Sequence, residues 1–282
     1  MEDKIIMDSR YSPLKMSPEL LKAIDEAEQR REKKNQTRTI DLVKQENSSV
    51  GVKIIEIIKK HGKDLSLKKL DNSEQDFIKE YLKILKNIIS QDMLMCKIFP
   101  QSEIKEILSL ERDLIGFFSR KADIDYLLKD QKDFFKTLYE GLRLDYNDSK
   151  FDLADNYMGM LIVSIPNFSL RTPITKELLD SESLIRKIYM ENDPPYSGIG
   201  FISNEWCIPE FYISISDKSN GKKKNYGSFP QEAFSASFKI ISHDSSIIDL
   251  ASYDAGDFEC AADDKFVVYD KYKDFAKHNG WI

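Results

Sequence analysis

Four polar residues in the second half of the chain have side chains suited to chemistry on an anionic substrate. Arg171 ends an apolar run before a predicted helix, Ser203 ends a predicted strand, and Asp257 and Glu259 stand before a closing strand. A guanidinium is permanently charged and can hold a phosphate through two hydrogen bonds. A carboxylate can stabilise positive charge that develops in a transition state. Residues of these types could hold an anionic substrate and stabilise a cationic transition state.

The segments that carry these residues resemble, in order, the Arg/Ser/Glu class of mono-ADP-ribosyltransferases. Leu170-Arg171-Thr172-Pro173 is similar to the strand that carries the arginine of the family, and Gly200-Phe201-Ile202-Ser203 is similar to the start of its Ser-Thr-Ser motif. Gly256-Asp257-Phe258-Glu259 and the following Lys265-Phe266-Val267-Val268 are similar to its final ExE or QxE motif and strand.

The resemblance implies that NAD is the substrate. Arg171 would bind its phosphates and ribose, and Ser203 would steady the site. Glu259 takes the catalytic position, where it would stabilise a ribose with oxocarbenium character. Asp257 shares its strand face two residues earlier, where the family has Glu or Gln, so the acceptor side chain stays open. The hairpin after Glu259 is shorter than is usual in the family, and Asp257 is therefore an alternative catalytic carboxylate.

Two aromatic residues, Phe211 and Tyr212, occupy the region where the family often places a ring against nicotinamide. The chain departs from the family at Asn204 and Glu205, which stand where Thr and Ser are usual. A Ser-Ala-Ser triplet at residues 235–237 lies too near the final motif to leave room for the intervening strands.

The resemblance further implies a bacterial toxin or effector that is made in the bacterial cytoplasm and delivered to a host cytosol, where a host protein accepts ADP-ribose. Two other functions stay open. An NAD glycohydrolase would use the same residues with water as the acceptor. A non-enzymatic protein would join a helical interaction module to a degenerate transferase-like domain.

Composition describes a globular protein of 282 residues, 32% of them charged and 41% hydrophobic. No apolar run approaches the roughly 20 residues that cross a bilayer, and the first residues do not have the pattern of a signal peptide. Residues 1–150 hold 29 Lys and Arg against 28 Asp and Glu, whereas the remainder holds 13 against 20. The acidic second half argues against a nucleic-acid partner, because such binding neutralises phosphates with Lys and Arg.

The three cysteines and three histidines are widely spaced. They form no CxxC pair or His-rich cluster, so we expect no metal site.

The sequence predicts an α+β fold with three parts: a polar segment over residues 1–50, a helical domain over 51–147 and a split-sheet ADP-ribosyltransferase-like domain over 148–282. Apolar residues recur at helical spacing through the second part, whereas six of the nine prolines, seven of the eleven glycines and several β-branched runs lie after residue 150.

Individual elements are predicted from caps and periodicity. We expect a helix that starts at Ser17-Pro18-Glu19 and another after a capping box at residues 73–76. Further helices are expected from Ser102 to Ile115, over residues 126–142 and over residues 175–190. The predicted strands cover residues 160–163, 198–203, 211–215, 233–242, 246–250 and 265–269.

Overall fold

The computed structural model describes residues 17–62, 65, 69–89, 93–109, 116–146, 149–164, 170–174, 187–189, 206–213, 235–254 and 266–282. Within these ranges the chain combines helices with one sheet, which confirms the α+β class at that level. The predicted strand over residues 198–203 lies outside the described residues.

In the described part of the chain, four α-helices precede the first strand: α1 Pro18–Gln36, α2 Thr39–Glu46, α3 Ser48–His61 and α4 Asn72–Ile88. The start of α1 is as predicted, with the Ser17 side chain accepting a hydrogen bond from the backbone N–H of Leu20. The capping box of α4 is formed by Asp71 and Glu74, so it begins two residues before the predicted one. Among the described helices, none is long and apolar enough to cross a membrane.

The other α-helices and strands of the described residues are β1 Leu94–Pro100, α5 Ile104–Leu108, β2 Gly116–Arg120, α6 Lys121–Leu128, α7 Phe134–Gly141, β3 Tyr157–Ser164, β4 Leu170–Ile174, β5 Lys187–Tyr189, β6 Phe211–Ile213, β7 Ser235–Ser242, β8 Ile247–Asp254, β9 Val267–Val268 and α8 Lys273–His278. The described strands form one sheet in the order β5-β4-β6-β2-β1-β3-β7-β8-β9. Neighbouring strands are antiparallel except β4 and β5, which are parallel.

The centre of the sheet corrects the predicted division at residue 147. Strands β1 and β2 come from the part predicted to be a helical domain, yet β1 pairs with β3 along its whole length and β2 pairs with β6. The sequence of β1, Leu-Met-Cys-Lys-Ile-Phe-Pro, shows no clean apolar–polar alternation because both faces of the strand are covered. Residues on both sides of the predicted boundary therefore share one sheet.

Three predicted helices also need correction. The one expected over residues 102–115 is the short α5 in the described region, and the one expected over residues 126–142 is split into α6 and α7 at Asp130, whose φ is 62°. Residues 187–189 of the third predicted helix form strand β5 beside β4, and residues 175–186 lie outside the described ranges. Strand β4 provides hydrogen-bond partners for the backbone of β5, whereas in a helix these groups would bond within the same segment.

Helices cover both faces of the sheet. On β3, Leu161 and Val163 pack in one apolar cluster with α2, α3 and α4, whereas Met160 and Ile162 pack in the other with α6 and α7. Gly159 admits the ring of Phe238 from the neighbouring strand, since a Cβ at position 159 would lie 2.5 Å from that ring. The sheet is therefore the middle layer of three, and its strand order decides which candidate residues meet.

Candidate functional site

Strand pairing brings Arg171 and Tyr212 together. The two residues are register partners across the antiparallel strands β4 and β6, although 40 residues separate them in the chain. Tyr212 is also the register partner of Phe117 on β2. Positions 171, 212 and 117 thus form one row across three strands, and directly paired residues are neighbours in a sheet.

The two aromatic candidates on β6 differ in exposure. Tyr212 is partly exposed, and its ring contacts Phe117 edge-on with centroids 5.3 Å apart. Phe211 is 0% exposed and pairs with the buried Phe118 on the opposite side of the strands. Of these two rings, only that of Tyr212 has surface to offer to a bound molecule in this conformation.

The remaining predicted site residues, Ser203, Asp257 and Glu259, lie outside the described residues.

A buried carboxyl that sequence reasoning missed precedes Tyr212 by two residues in the chain. Glu210 immediately precedes β6 and is 4% exposed. Burial raises the pKa of the Glu210 carboxyl well above its usual range. Its only sequence signal is a single acidic residue in the apolar run Trp206-Cys207-Ile208-Pro209-Glu210-Phe211.

Other buried charged groups in the described residues have partners. Glu74 accepts from Lys60 Nζ at 2.8 Å and lies 3.1 Å from His61 Nε2. The Lys60 bond and the α4 cap outweigh desolvation and lower the pKa of Glu74. Glu103 pairs with Lys150 Nζ at 3.1 Å. These groups fix helices in place, and their contacts account for their burial.

A second buried polar cluster links the first helices to the sheet. Asp123 of α6 accepts hydrogen bonds from Thr39, and Arg120 of β2 donates to Thr39 Oγ1 at 3.0 Å and to the Lys34 carbonyl at 2.8 Å. Burial raises the pKa of Asp123 and lowers the pKa of Arg120. Since each of these three side chains has a buried hydrogen-bond partner in the cluster, we assign the cluster to structure.

Neither a reactive thiol nor a metal site is found among the described residues. Cys96 and Cys207 are buried, and burial raises the pKa of both thiols, which disfavours the nucleophilic thiolate. No group of three or more His, Cys, Asp or Glu side chains there is arranged to hold a metal ion.

Comparisons with known proteins identify no relative. No family model, curated protein or solved structure matches the chain.

Proposed function

We propose that the protein is a mono-ADP-ribosyltransferase that moves ADP-ribose from NAD to a protein side chain. The observation that supports it best is the pairing of Arg171 with Tyr212 across β4 and β6. The sequence resemblance assigns these residue types to the phosphates and the nicotinamide of one NAD molecule. Adjacent strand positions support the proposal, because only one ribose separates the nicotinamide of NAD from its pyrophosphate.

The reaction requires four contributions from the protein. Arg171 would neutralise the pyrophosphate through its planar fork of donors, and Tyr212 would pack its partly exposed ring against nicotinamide. A carboxylate would stabilise positive charge on the ribose as the bond to nicotinamide lengthens. The resemblance gives that task to Glu259 or Asp257 and gives Ser203 the task of holding the ribose end. A host protein would be the acceptor, and water in its place would make the protein an NAD glycohydrolase.

Incubation of the full chain with NAD tests the proposal. We expect free nicotinamide to appear, and ADP-ribose from labelled NAD to be transferred to an acceptor protein in a host-cell extract. Nicotinamide release without labelled protein would instead support the glycohydrolase. A folded protein that neither binds NAD nor releases nicotinamide would contradict both enzymatic functions.

Helix α1 supports a second candidate, a non-enzymatic interaction protein that pairs with a second copy of itself. No residue of α1 is buried, and Leu20, Leu21 and Ile24 are exposed on it. Residues 18–28 hold four acidic side chains against one lysine, whereas residues 29–36 hold four basic ones against one glutamate. An antiparallel second α1 would therefore place opposite charges together.

Sedimentation of the full chain distinguishes this candidate. A dimer that dissociates in the double variant Leu20→Asp/Ile24→Asp would support pairing through α1. A wild-type chain that stays monomeric at high concentration would exclude it.

A further inference from the structure

We propose that Phe117 determines the specificity of the NAD site. Its ring and that of Tyr212 form a corner that binds the cationic nicotinamide ring of NAD in preference to the neutral ring of NADH. This inference rests on the proposed function, and it adds a residue of β2 that the family resemblance does not assign.

The contact between the two rings is the first reason. Phe117 and Tyr212 are register partners across β2 and β6, their ring centroids are 5.3 Å apart, and the ring planes meet at 74°. In such an edge-to-face pair, the electropositive edge of one ring points at the electron-rich face of the other. A third planar ring can stack on the first and point its own edge at the same face. The pair therefore offers a corner for one flat aromatic ring.

Exposure on one face of the strands is the second reason. The adjacent register pair, Phe118 and Phe211, points to the opposite face and is 3% and 0% exposed, so the core encloses both rings. Phe117 and Tyr212 are partly exposed. Rings that only filled the core would gain most from full burial. The surface left on the Phe117–Tyr212 pair is the area that a ligand ring would cover.

The place of β2 in the sheet holds the Phe117 ring in position. Strand β2 pairs with β1 on one side and with β6 on the other. At its end, Arg120 donates hydrogen bonds to Thr39 Oγ1 and to the Lys34 carbonyl. A ring on a strand fixed in this way loses little conformational freedom when a ligand binds, and this favours affinity.

Charge determines which nicotinamide ring the corner prefers. The nicotinamide ring is a planar cation in NAD and is neutral in NADH. The faces of Phe and Tyr rings are electron-rich and attract a cation. We therefore expect the corner to bind NAD more tightly than NADH and to contribute nothing to the affinity for ADP-ribose, which has no nicotinamide. A transferase needs this selectivity, because only the cationic ring can leave the ribose as neutral nicotinamide.

The test uses the full chain and compares wild type with Phe117→Leu, with the conservative Phe117→Tyr and with the control Tyr126→Leu. Tyr126 is 39% exposed and contacts Trp206 edge-on with centroids 6.2 Å apart, so the control removes a similar surface ring from another part of the protein. Calorimetric titration with NAD, NADH and ADP-ribose gives the three affinities, and melting temperature gives the stability.

Wild type should bind NAD about tenfold more tightly than NADH. Phe117→Leu should lower NAD affinity about five- to tenfold, and its ADP-ribose affinity should stay within about twofold of wild type. Phe117→Tyr should keep the preference for NAD, because it keeps the ring. Tyr126→Leu should leave all three affinities unchanged.

Other results overturn the inference. Equal affinities of wild type for NAD and NADH would do so without any variant, and the transferase proposal would stand. Unchanged NAD affinity in Phe117→Leu would show that the ring does not contact nicotinamide. If Phe117→Leu melts well below wild type and loses affinity for NAD and ADP-ribose alike, Phe117 belongs to the fold. If wild type binds none of the three ligands, the transferase proposal fails, and the inference fails with it.

Discussion

Asp123 and Thr39 are joined by two hydrogen bonds across 84 residues of sequence. The Thr39 backbone N–H donates to Asp123 Oδ1 at 2.8 Å, and Thr39 Oγ1 donates to Asp123 Oδ2 at 2.6 Å. Arg120, 1% exposed, donates to the same threonine hydroxyl and to the Thr37 carbonyl. The start of α2 is therefore fixed to the β2–α6 connection by contacts between fully buried groups.

We expect Asp123→Ala to be strongly destabilising. It would remove the acceptor of both Thr39 hydrogen bonds and leave the buried Arg120 without a nearby counter-charge, at a cost of about 3–5 kcal/mol in the free energy of unfolding. Urea denaturation of the variant and wild type measures the loss. The control is Asp125→Ala, whose carboxylate pairs with Lys121 on the surface and should matter little. Equal stabilities for the two variants would contradict the role of the cluster.

Glu210 and Glu74 should make the stability of the protein depend on pH in opposite directions. The pKa of Glu210 is raised in the folded chain, so its stabilising contribution is complete below the unfolded value near 4.3 and is lost as pH rises towards the folded pKa. The pKa of Glu74 is lowered, so its contribution is present above the unfolded value and is lost as pH falls.

Melting curves over a pH series measure both effects. As pH rises, wild type should lose stability relative to Glu210→Gln. Over the same pH series it should gain stability relative to Glu74→Gln. A pH-independent difference for Glu210→Gln would show that the carboxyl is not desolvated in the folded protein.

Arg171→Lys should weaken NAD binding without destabilising the protein. Lysine keeps the charge but loses the two-donor contact to phosphate. NAD titration and melting temperature are the two measurements, with Arg30→Lys on the exposed surface of α1 as control. Unchanged NAD affinity, or a variant that unfolds, would assign Arg171 to the fold of β4.

Glu259→Gln and Asp257→Asn should identify the carboxylate that stabilises the ribose cation. The amide of the correct one keeps the shape but removes the charge, at a cost of about 2.7–4 kcal/mol in the activation barrier, or 100- to 1000-fold in rate. Rates of nicotinamide release by the two variants decide between them. If both retain full activity, the carboxylate belongs to another segment of the chain.

A chain of residues 148–282 should not fold. It would lack β1, which pairs with seven residues of β3, and β2, which pairs with β6. The exposed edges would leave backbone groups unpaired in the centre of the three-layer structure. Circular dichroism and proteolysis of this chain test the expectation. A soluble, protease-resistant product would show that residues 148–282 form a domain after all.

Local features of the chain are determined by the sequence itself. Ser17 and Pro18 specify the start of α1 because capping and a fixed φ are properties of adjacent residues. The apolar stripe of α4 predicts its buried face, including Tyr81, Leu82 and Leu85, because helical period depends only on spacing. Strands β3, β7 and β8 are predicted from local pattern as well, because each contains a run of apolar or β-branched residues.

Tertiary structure decided the features that depend on distant neighbours. Strand β1 has apolar side chains on both of its faces, each packed against helices. Its sequence therefore lacks the apolar–polar alternation that predicts a strand, and its pairing with β3 is what identifies it as one. The same is true of the site. No spacing along the chain predicts that Arg171 pairs with Tyr212, or that Glu210 is buried. Burial and strand order depend on the whole chain at once, because water is excluded and backbone hydrogen bonds are completed by segments far apart in sequence.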